Sequence, residues 1–203
     1  MTATPTLTAP ATLTSAQRDV ITAADSLFTE NGISPVSVEQ IAQRAGLSPA
    51  ALADAFESKR DILIAVLAWK HQGWMHKLAW ISATTTDPRD EILNIFSYLE
   101  ECFTDTSWRG CAFINAYGEL GRSDDGIGAL AAEHFSEVER HIGVLCERAG
   151  MPSHVAETLT LLIQGARAES GIHHTVRPAR AARLGAAMLM SVYQDDDALP
   201  DFS

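Results

Sequence analysis

Cysteine is scarce in this sequence, and the spacing of the few cysteines excludes two kinds of small domain. The 203 residues contain only Cys102, Cys111 and Cys146, and no two of them form a CxxC pair. A disulfide scaffold and a zinc module both need more cysteines at closer spacing. The chain must therefore fold around an ordinary hydrophobic core, and a chain of this length buries roughly 70% of the surface that its unfolded form exposes.

Long hydrophobic runs are also absent. The longest run, residues 62–69, has eight apolar residues, whereas a membrane-spanning helix needs about 20. Residues 1–13 contain no Lys or Arg and no apolar core, so they do not fit a secretory signal peptide. We therefore expect a cytoplasmic protein without a membrane segment.

Positive charge is in short supply. The chain has 15 Lys and Arg against 26 Asp and Glu, a net charge of −11, and such a balance normally argues against nucleic acid as a partner. The negative charge is unevenly distributed along the chain. Residues 1–70 hold five basic and seven acidic side chains, a net charge of −2, so residues 71–203 carry the remaining −9. DNA would repel the acidic C-terminal part, so only the N-terminal third is a candidate to face it.

Sequence motifs of catalysis are missing as well. There is no nucleophile elbow, phosphate-binding glycine loop or dinucleotide fingerprint, so we expect no enzyme activity, no catalytic residue and no cofactor. The seven histidines show no spacing typical of metal ligands, so no metal site is expected.

Cys111, two residues after Arg109, is either a thiolate that senses oxidants or electrophiles or a small buried residue in a tight turn. The second interpretation is favoured.

Helical periodicity runs through nearly the whole chain. Apolar residues recur at steps of three and four, and no segment alternates convincingly with a period of two, which predicts an all-α fold. Three helix starts carry a capping box or a proline at the first helical position: Thr14 with Gln17, Ser37 with Gln40, and Ser48 with Pro49. The pattern divides the chain into a disordered leader (1–13), an N-terminal helical domain (14–58), a body (59–194) that opens with a linking helix (59–81), and an acidic tail (195–203).

Residues 37–56 have the pattern of a helix-turn-helix unit. A helix of about eight residues is followed by Ala45-Gly46-Leu47-Ser48 and then by a second short helix. Gly46 can adopt a positive φ at low cost, which allows the sharp turn between the two helices. In such a unit the second helix presents its outer face to the major groove, while helix N-termini and hydroxyl groups hold phosphates. The inner face would be apolar: Ile41, Ala42, Leu47, Leu52 and Phe56.

This stretch resembles the TetR/AcrR family of transcriptional regulators over about residues 15–67. The matching residues are Leu27-Phe28, Gly32, Ser37-Val38, Ile41-Ala42, Ala45-Gly46-Leu47-Ser48, Leu52, Phe56, Ser58-Lys59 and Ile62-Leu63. A ligand-domain segment found in one branch of the family resembles a second set: Arg109-Gly110-Cys111-Ala112-Phe113, Asn115-Ala116 and Glu119-Leu120. The resemblance implies nine to ten helices, with a three-helix head before a larger ligand-binding and dimerisation body. Ala53 and Asp54 depart from the family, which usually has an aromatic and then a basic or imidazole residue there.

Eight residues are expected to contact DNA. Three are candidates for phosphate contacts: Ser37, Arg44 and Lys59. Five lie on or near the exposed face of the second helix: Ser48, Ala50, Ala51, Ala53 and Asp54. The alanines offer only methyl contact, which suits a thymine methyl group, whereas Asp54 either accepts from a cytosine amino group or is a solvated charge. With so few basic side chains, nonspecific binding should be weak.

The body is expected to bind a small molecule, because the family resemblance implies a ligand among its helices. A ligand pocket combines an apolar wall with a few polar groups. The residues that best fit this description are Trp80, Phe113, Asn115 and Tyr117. The effector would then be largely apolar.

The last two predicted helices, at about 153–174 and 177–193, combine small residues with large apolar ones. Two such helices from each of two subunits would form a four-helix interface with two-fold symmetry, and that symmetry would demand a palindromic operator. The alternative is that these helices pack against each other inside one subunit.

These features predict a homodimeric repressor that a small molecule releases from a palindromic operator. The alternative is a small-molecule-binding or protein-interaction dimer whose DNA-binding head has become vestigial. Ala53, Asp54 and the acidic head favour that alternative, while the helix caps and the apolar inner face of the head argue against it.

Overall fold

Nine α-helices and no strand make up the part of the chain that the structure, a computed structural model, describes, namely residues 5–7 and 12–193. The predicted all-α fold is confirmed. No helix in these residues is both long enough and apolar enough to cross a membrane. In chain order the helices are α1 (Ser15–Asn31), α2 (Val38–Ala45), α3 (Pro49–Ala55), α4 (Lys59–Ser82), α5 (Pro88–Phe103), α6 (Ala112–Leu120), α7 (Asp125–Arg148), α8 (Ser153–His173) and α9 (Arg177–Ser191).

The two predicted terminal segments lie largely outside the described residues. The acidic tail, 195–203, is not described at all, and neither are residues 1–4 and 8–11 of the leader. Leu7, which is described, is buried in a hydrophobic cluster with residues of α1, α2 and α4. Leu7 is therefore a core residue, although it lies in the predicted leader.

The helices form two compact units. The head unit comprises the described residues up to His76 together with Cys111–Phe135, and the body unit comprises Lys77–Gly110 and the described residues from Ser136 onward. The division falls inside α4 and inside α7, so each of these long helices contributes to both units. The head unit accordingly contains α6 in addition to α1, α2 and α3.

Capping side chains begin each of the first three helices. Thr14 and Ser37 each accept a hydrogen bond from the backbone N–H three residues later, within complete capping boxes, and Ser48 caps α3 in the same way. A cap of this kind typically stabilises a helix by about 1 kcal/mol. Gly46 ends α2 with a φ of 69°, a left-handed conformation that glycine adopts without strain. The predicted turn between α2 and α3 is therefore present.

The inner face of the helix-turn-helix packs onto α1. Ile41, Ala42 and Leu52 are buried, while Leu47 and Phe56 are half-buried against the same cluster. The opposing face of α1 is buried at Val20, Ile21, Ala23, Ala24, Leu27 and Phe28. The spacing of apolar residues thus determines which side of α3 remains outside.

In the body unit, α9 packs along both α5 and α8. Close backbone approach occurs at Gly171 of α8, where an added Cβ would lie 2.7 Å from the Cα of Gly110. Beside this contact, Trp108 Nε1 donates to the Ser170 hydroxyl at 2.8 Å. Any residue larger than glycine at position 171 would push the segment before α6 away from α8.

A buried ion pair joins α5 to α7 within the body unit. Glu91 has no exposed surface, and its two carboxylate oxygens accept from the Arg148 guanidinium at 3.0 and 2.7 Å. Burial acts to raise the pKa of Glu91, but the hydrogen bonds and the charge of Arg148 outweigh it and hold that pKa below its ordinary value. Burial also lowers the pKa of the neighbouring His141. Glu91 is therefore charged at neutral pH and depends on Arg148 for its compensation.

Candidate nucleic-acid interface

The outer face of α3 is exposed and almost without polar groups. Ala50, Ala53 and Asp54 are exposed and Ala51 is half-buried, while Leu52 points into the core. Ser48, also exposed, accepts from the backbone N–H of Ala51 at 3.2 Å. This face can offer methyl groups and one carboxylate to a base edge, and it carries no basic side chain.

Ser37 lies at the N-terminus of α2, where unsatisfied backbone N–H groups favour an anion. Its hydroxyl oxygen accepts from Gln40 N at 3.2 Å, and its own N–H donates to Gln40 Oε1 at 2.7 Å. A hydroxyl that accepts as a cap still has a proton to donate. The backbone N–H of Glu39, followed by the Ser37 hydroxyl, lowers the pKa of Glu39, so the Ser37 proton already faces a carboxylate, and a contact of Ser37 with a phosphate stays a prediction.

Arg44 is held by an ion pair inside the head unit. Its guanidinium donates to Glu30 at 3.2 Å through each of two nitrogens and to the Ser26 hydroxyl at 2.9 Å. The Arg44 contact, followed by that of Ser26, lowers the pKa of Glu30. Since Glu30 neutralises this arginine in place, Arg44 brings less net positive charge to a phosphate than the sequence suggests.

Lys59 lies against the loop between α1 and α2. Its Nζ donates to the carbonyl oxygen of Ser34 at 3.1 Å. Burial lowers the pKa of Lys59, although the nearby carboxylate of Glu119 opposes this. The ammonium group is thus positioned near the start of α2, where Ser37 also lies.

Every one of the five basic side chains in residues 1–70 has a partner within the head unit. Arg18 donates to the Leu13 carbonyl at 2.6 Å, Lys70 pairs with Asp25 at 2.8 Å, and Arg60 donates to Asp124 through two nitrogens. Hydrogen bonds from Arg60 are the largest reason that the pKa of Asp124 falls to about 2. With Arg44 and Lys59 engaged as well, few cations are left for DNA phosphates.

Glu119 of α6 clamps the loop that precedes α2. Its carboxylate accepts from the backbone N–H of Ile33 at 2.9 Å and from that of Ser34 at 2.8 Å. Burial acts to raise the pKa of Glu119, but these backbone donors and Lys59 hold it below its ordinary value. Sequence reasoning did not include Glu119 among the site residues. It lies 85 positions from Ser34, and no local sequence pattern indicates a contact between residues so far apart.

Replacing Glu119 by alanine should loosen this loop. A hydrogen bond to a charged group is worth more than a neutral one, so we expect amide hydrogen exchange at Ile33 and Ser34 to accelerate about tenfold or more. The matched control is Glu133→Ala, an exposed carboxylate on α7, which should leave both amides unchanged. Equal protection of Ile33 and Ser34 in the wild type and the Glu119 variant would contradict the clamp.

The four residues predicted to line a ligand pocket fall into different environments. Phe113 is buried in the head unit and stacks on the His134 ring at 3.8 Å, whereas Asn115 is exposed on another face of α6 and Tyr117, one helical turn after Phe113, is 52% exposed. Trp80 belongs to the body unit, is 58% exposed, and lies 4.1 Å from the Lys77 ammonium group. The three residues of α6 do not share one face.

A groove of about 630 Å³ runs between α7 and α8 in the body unit. Three glutamates and one arginine contribute to its lining, and none of the four predicted pocket residues takes part: it consists of Ser136, Glu139, Arg140, Gly143, Glu147, Met151, Ser153, Ala156 and Glu157. An open groove with three glutamates differs from the largely apolar wall that the sequence analysis expected.

The small and the large apolar residues of α8 and α9 have different locations. Ala166, Ala182 and Ala186 are buried, which is consistent with the close packing of α8 and α9 inside the subunit. Large apolar side chains remain exposed on the same two helices and at the residue that follows α9: Leu161, Ile172, Leu184, Met188 and Val192. We call this set the α8–α9 apolar face. Two other large apolar residues of α8, Leu159 and Ile163, are buried in the subunit.

The head matches a family of DNA-binding proteins. Residues 20–66 match the family model of bacterial regulatory proteins, tetR family, and this segment contains α2, α3 and most of α1. Among curated proteins, no sequence matches the chain.

Solved structures of transcriptional regulators share the fold of nearly the whole chain. A TetR-family transcriptional regulator from Streptomyces coelicolor superimposes with a TM-score of 0.82 at 18% identity, covering 87% of this chain and 94% of its own. The regulatory protein TetR from Rhodobacter sphaeroides gives 0.78 at 19% identity, with coverages of 87% and 99%. A TetR-family regulator from Agrobacterium tumefaciens gives 0.76 at 20% identity, with coverages of 87% and 97%. At these identities the likeness concerns the fold.

Proposed function

We propose, from the match of residues 20–66 to the tetR family model and from the shared fold, that the chain is a homodimeric repressor of the TetR family that a small molecule releases from a palindromic operator. The observation that carries this proposal is the outer face of α3, which is exposed and apolar on a head whose helix caps and turn are intact.

The proposed DNA contacts follow from the positions of the eight predicted residues. The α3 methyl groups would lie against thymine methyls, and Asp54 would accept from a cytosine amino group. Ser37 and Lys59, near the start of α2, would hold phosphates. Arg44 would contribute through its exposed edge while it remains bound to Glu30.

Dimerisation is supported by the α8–α9 apolar face, which no residue of the described part of the chain covers. Large exposed apolar patches on soluble proteins mark interaction sites. Two copies meeting through this face would be related by a two-fold axis, so their α3 helices would address the two halves of a palindrome.

Release would act through α4, the helix that contributes to both units. An effector bound among the body helices would shift α4 and thereby change the separation of the two α3 helices. Half-sites one turn apart require about 34–36 Å between recognition elements, so a displacement of a few ångströms would weaken binding. The effector can shift this equilibrium only by its difference in affinity for the two states.

The second candidate function is a small-molecule-binding or protein-interaction dimer with a vestigial head. It is favoured by the engagement of all five basic side chains of residues 1–70 within the head unit and by Ala53 and Asp54 at positions that usually carry larger or basic residues. The two candidates differ in one measurable property, which is selective binding to DNA.

Fluorescence anisotropy against a pool of genomic fragments, including the chain's own promoter, tests the proposal. We expect selective sub-micromolar binding to a palindromic fragment. Because each neutralised phosphate adds about 0.9 to the salt slope, and each subunit has only two or so candidate cations, log Kd against log salt concentration should have a slope of about 2–4. Failure to bind any fragment at low salt would contradict the repressor and support the vestigial head.

A further inference from the structure

Three polar side chains lie on the inward face of α8 in the body unit. Thr160, Gln164 and Arg167 are spaced so that one helical face carries all three, since residues three and four apart are neighbours on a helix. Thr160 is 7% exposed and Arg167 is 6% exposed, and Gln164 is half-buried. Their neighbours on this face, Leu159 and Ile163, are fully buried apolar residues. Polar groups at such positions need an explanation.

Two of these side chains have buried polar atoms that nothing in the described chain satisfies. The Thr160 hydroxyl oxygen and the Gln164 amide nitrogen are inaccessible and have no hydrogen-bond partner. Leaving a buried donor unsatisfied destabilises a fold, and natural proteins contain only a few such groups. Thr160 and Gln164 are one helical turn apart, so the two unsatisfied atoms belong to the same patch.

Arg167 determines which way the Gln164 amide points. Its Nη1 donates to Gln164 Oε1 at 3.3 Å, and a guanidinium has no acceptor, so the amide oxygen must face the arginine. The Gln164 nitrogen is then left as a donor. The patch thus presents the charge of Arg167, an N–H and a hydroxyl, which is an arrangement rich in donors and positive in sign.

Residues of α5 also interact electrostatically with Arg167. The positive charge of Arg167 acts on both Tyr98 and Cys102 of α5, and the negative charge of Glu101 opposes it at both. Burial raises the pKa of Tyr98 well above its ordinary value, so its hydroxyl stays neutral and protonated. The Lys77 ammonium group lies 4.7 Å from the Tyr98 ring and adds a second positive charge. A negatively charged acceptor would be favoured here over a donor or a cation.

We propose that Thr160, Gln164 and Arg167 form the polar end of the effector site and bind the carboxylate of an otherwise apolar small molecule. This inference rests on the proposed effector response. A carboxylate has two oxygens with about four acceptor positions, which one guanidinium and two neutral donors can fill by charge-assisted hydrogen bonds. The buried apolar residues around the patch would cover the rest of the molecule.

The first test needs no ligand. In Thr160→Val the hydroxyl is replaced by a methyl group of similar size, so an unsatisfied polar atom disappears and the full chain should melt about 2–4 °C higher. Thr158→Val is the matched control, because the Thr158 hydroxyl is exposed and donates to the His154 carbonyl; its melting temperature should not rise. A lower melting temperature for Thr160→Val would show that the hydroxyl is satisfied in the fold and would overturn the site.

The second test measures binding of octanoate, benzoate and phenylacetate against their neutral amides by calorimetry on the full-length protein. At least one acid should bind, its amide should bind about tenfold more weakly or not at all, and Thr160→Val and Gln164→Met should each lose about tenfold in affinity for that acid. Thr158→Val should bind it like the wild type.

Two outcomes of the second test would overturn the carboxylate site, namely amides that bind as tightly as the acids and no binding by any of the acids. Neither outcome would contradict the proposed function, because that proposal is tested by operator binding in the absence of any ligand. A wild-type protein that selects a palindromic fragment but prefers an amide would remain a repressor with a neutral effector.

Discussion

Replacing Arg148 by alanine is expected to destabilise the protein more than any other single change to a polar side chain that we consider. The substitution leaves the Glu91 carboxylate, which has no exposed surface, without the guanidinium that now holds both of its oxygens. Removing one partner of a fully buried pair typically costs about 3–5 kcal/mol. Because the Arg148 side chain is 44% exposed, we expect a smaller loss, about 1–3 kcal/mol, for leaving the buried carboxylate without its donors. Urea denaturation at neutral pH should show the loss as a lower midpoint with an unchanged slope.

The control for this variant is Arg140→Ala on the same helix. Arg140 pairs with Glu137 on the helix surface, and exposed ion pairs stabilise proteins little, so the midpoint should hardly move. A similar loss in both variants would contradict the special role of the Glu91 pair.

The same pair makes a prediction about pH. The folded-state pKa of Glu91 lies below its ordinary value of 4.5, so its contribution is fully present above that value and is lost as the pH falls through the lowered pKa. Once Glu91 is protonated, Arg148 has no charge to compensate. The difference in stability between the wild type and Arg148→Ala should therefore be largest at neutral pH and should shrink below about pH 4.

The double variant Leu184→Glu, Met188→Glu is expected to abolish the dimer and with it tight operator binding. These side chains are 63% and 64% exposed on α9 and lie one helical turn apart, so the two carboxylates would place like charges at the centre of the α8–α9 apolar face. A monomer can hold only one half-site, and losing the second simultaneous contact lowers affinity by about 10²–10⁴-fold. Light scattering coupled to gel filtration measures the mass, and anisotropy measures the operator affinity.

Val144→Glu is the matched control for the double variant. Val144 is an exposed apolar residue of α7 outside the α8–α9 apolar face, so the variant should remain dimeric and bind the operator as the wild type does. A double variant that keeps the mass of a dimer would place the interface elsewhere. A monomeric double variant with unchanged operator affinity would show that dimerisation does not serve DNA binding.

Much of the head could be predicted from the sequence because its signals are local. Thr14, Ser37 and Ser48 cap helices through backbone groups three residues away, and Gly46 provides its turn by its own conformational freedom. The apolar spacing of α2 and α3 determines their buried face. The lack of enzyme motifs and the resemblance over residues 15–67 also needed no coordinates, and the match to the tetR family model over residues 20–66 agrees with them.

Contacts between residues that are far apart in the sequence are determined by the tertiary structure alone. Glu119 reaches the Ser34 backbone over 85 positions, and Glu91 meets Arg148 over 57. No periodicity encodes such pairs, since only the packing of α5, α6 and α7 brings their ends together. The sequence shows a shortage of positive charge in the head, but only the structure shows that each of its five basic side chains is already engaged.

The two roles of α8 and α9 illustrate the same division. From the sequence, small and large apolar residues on these helices fit either a dimer interface or packing inside one subunit. Burial separates them, since Ala166, Ala182 and Ala186 are enclosed while Leu184 and Met188 remain exposed. Helical periodicity determines that a residue lies on an apolar stripe, whereas the position of the neighbouring helix determines whether that stripe is covered.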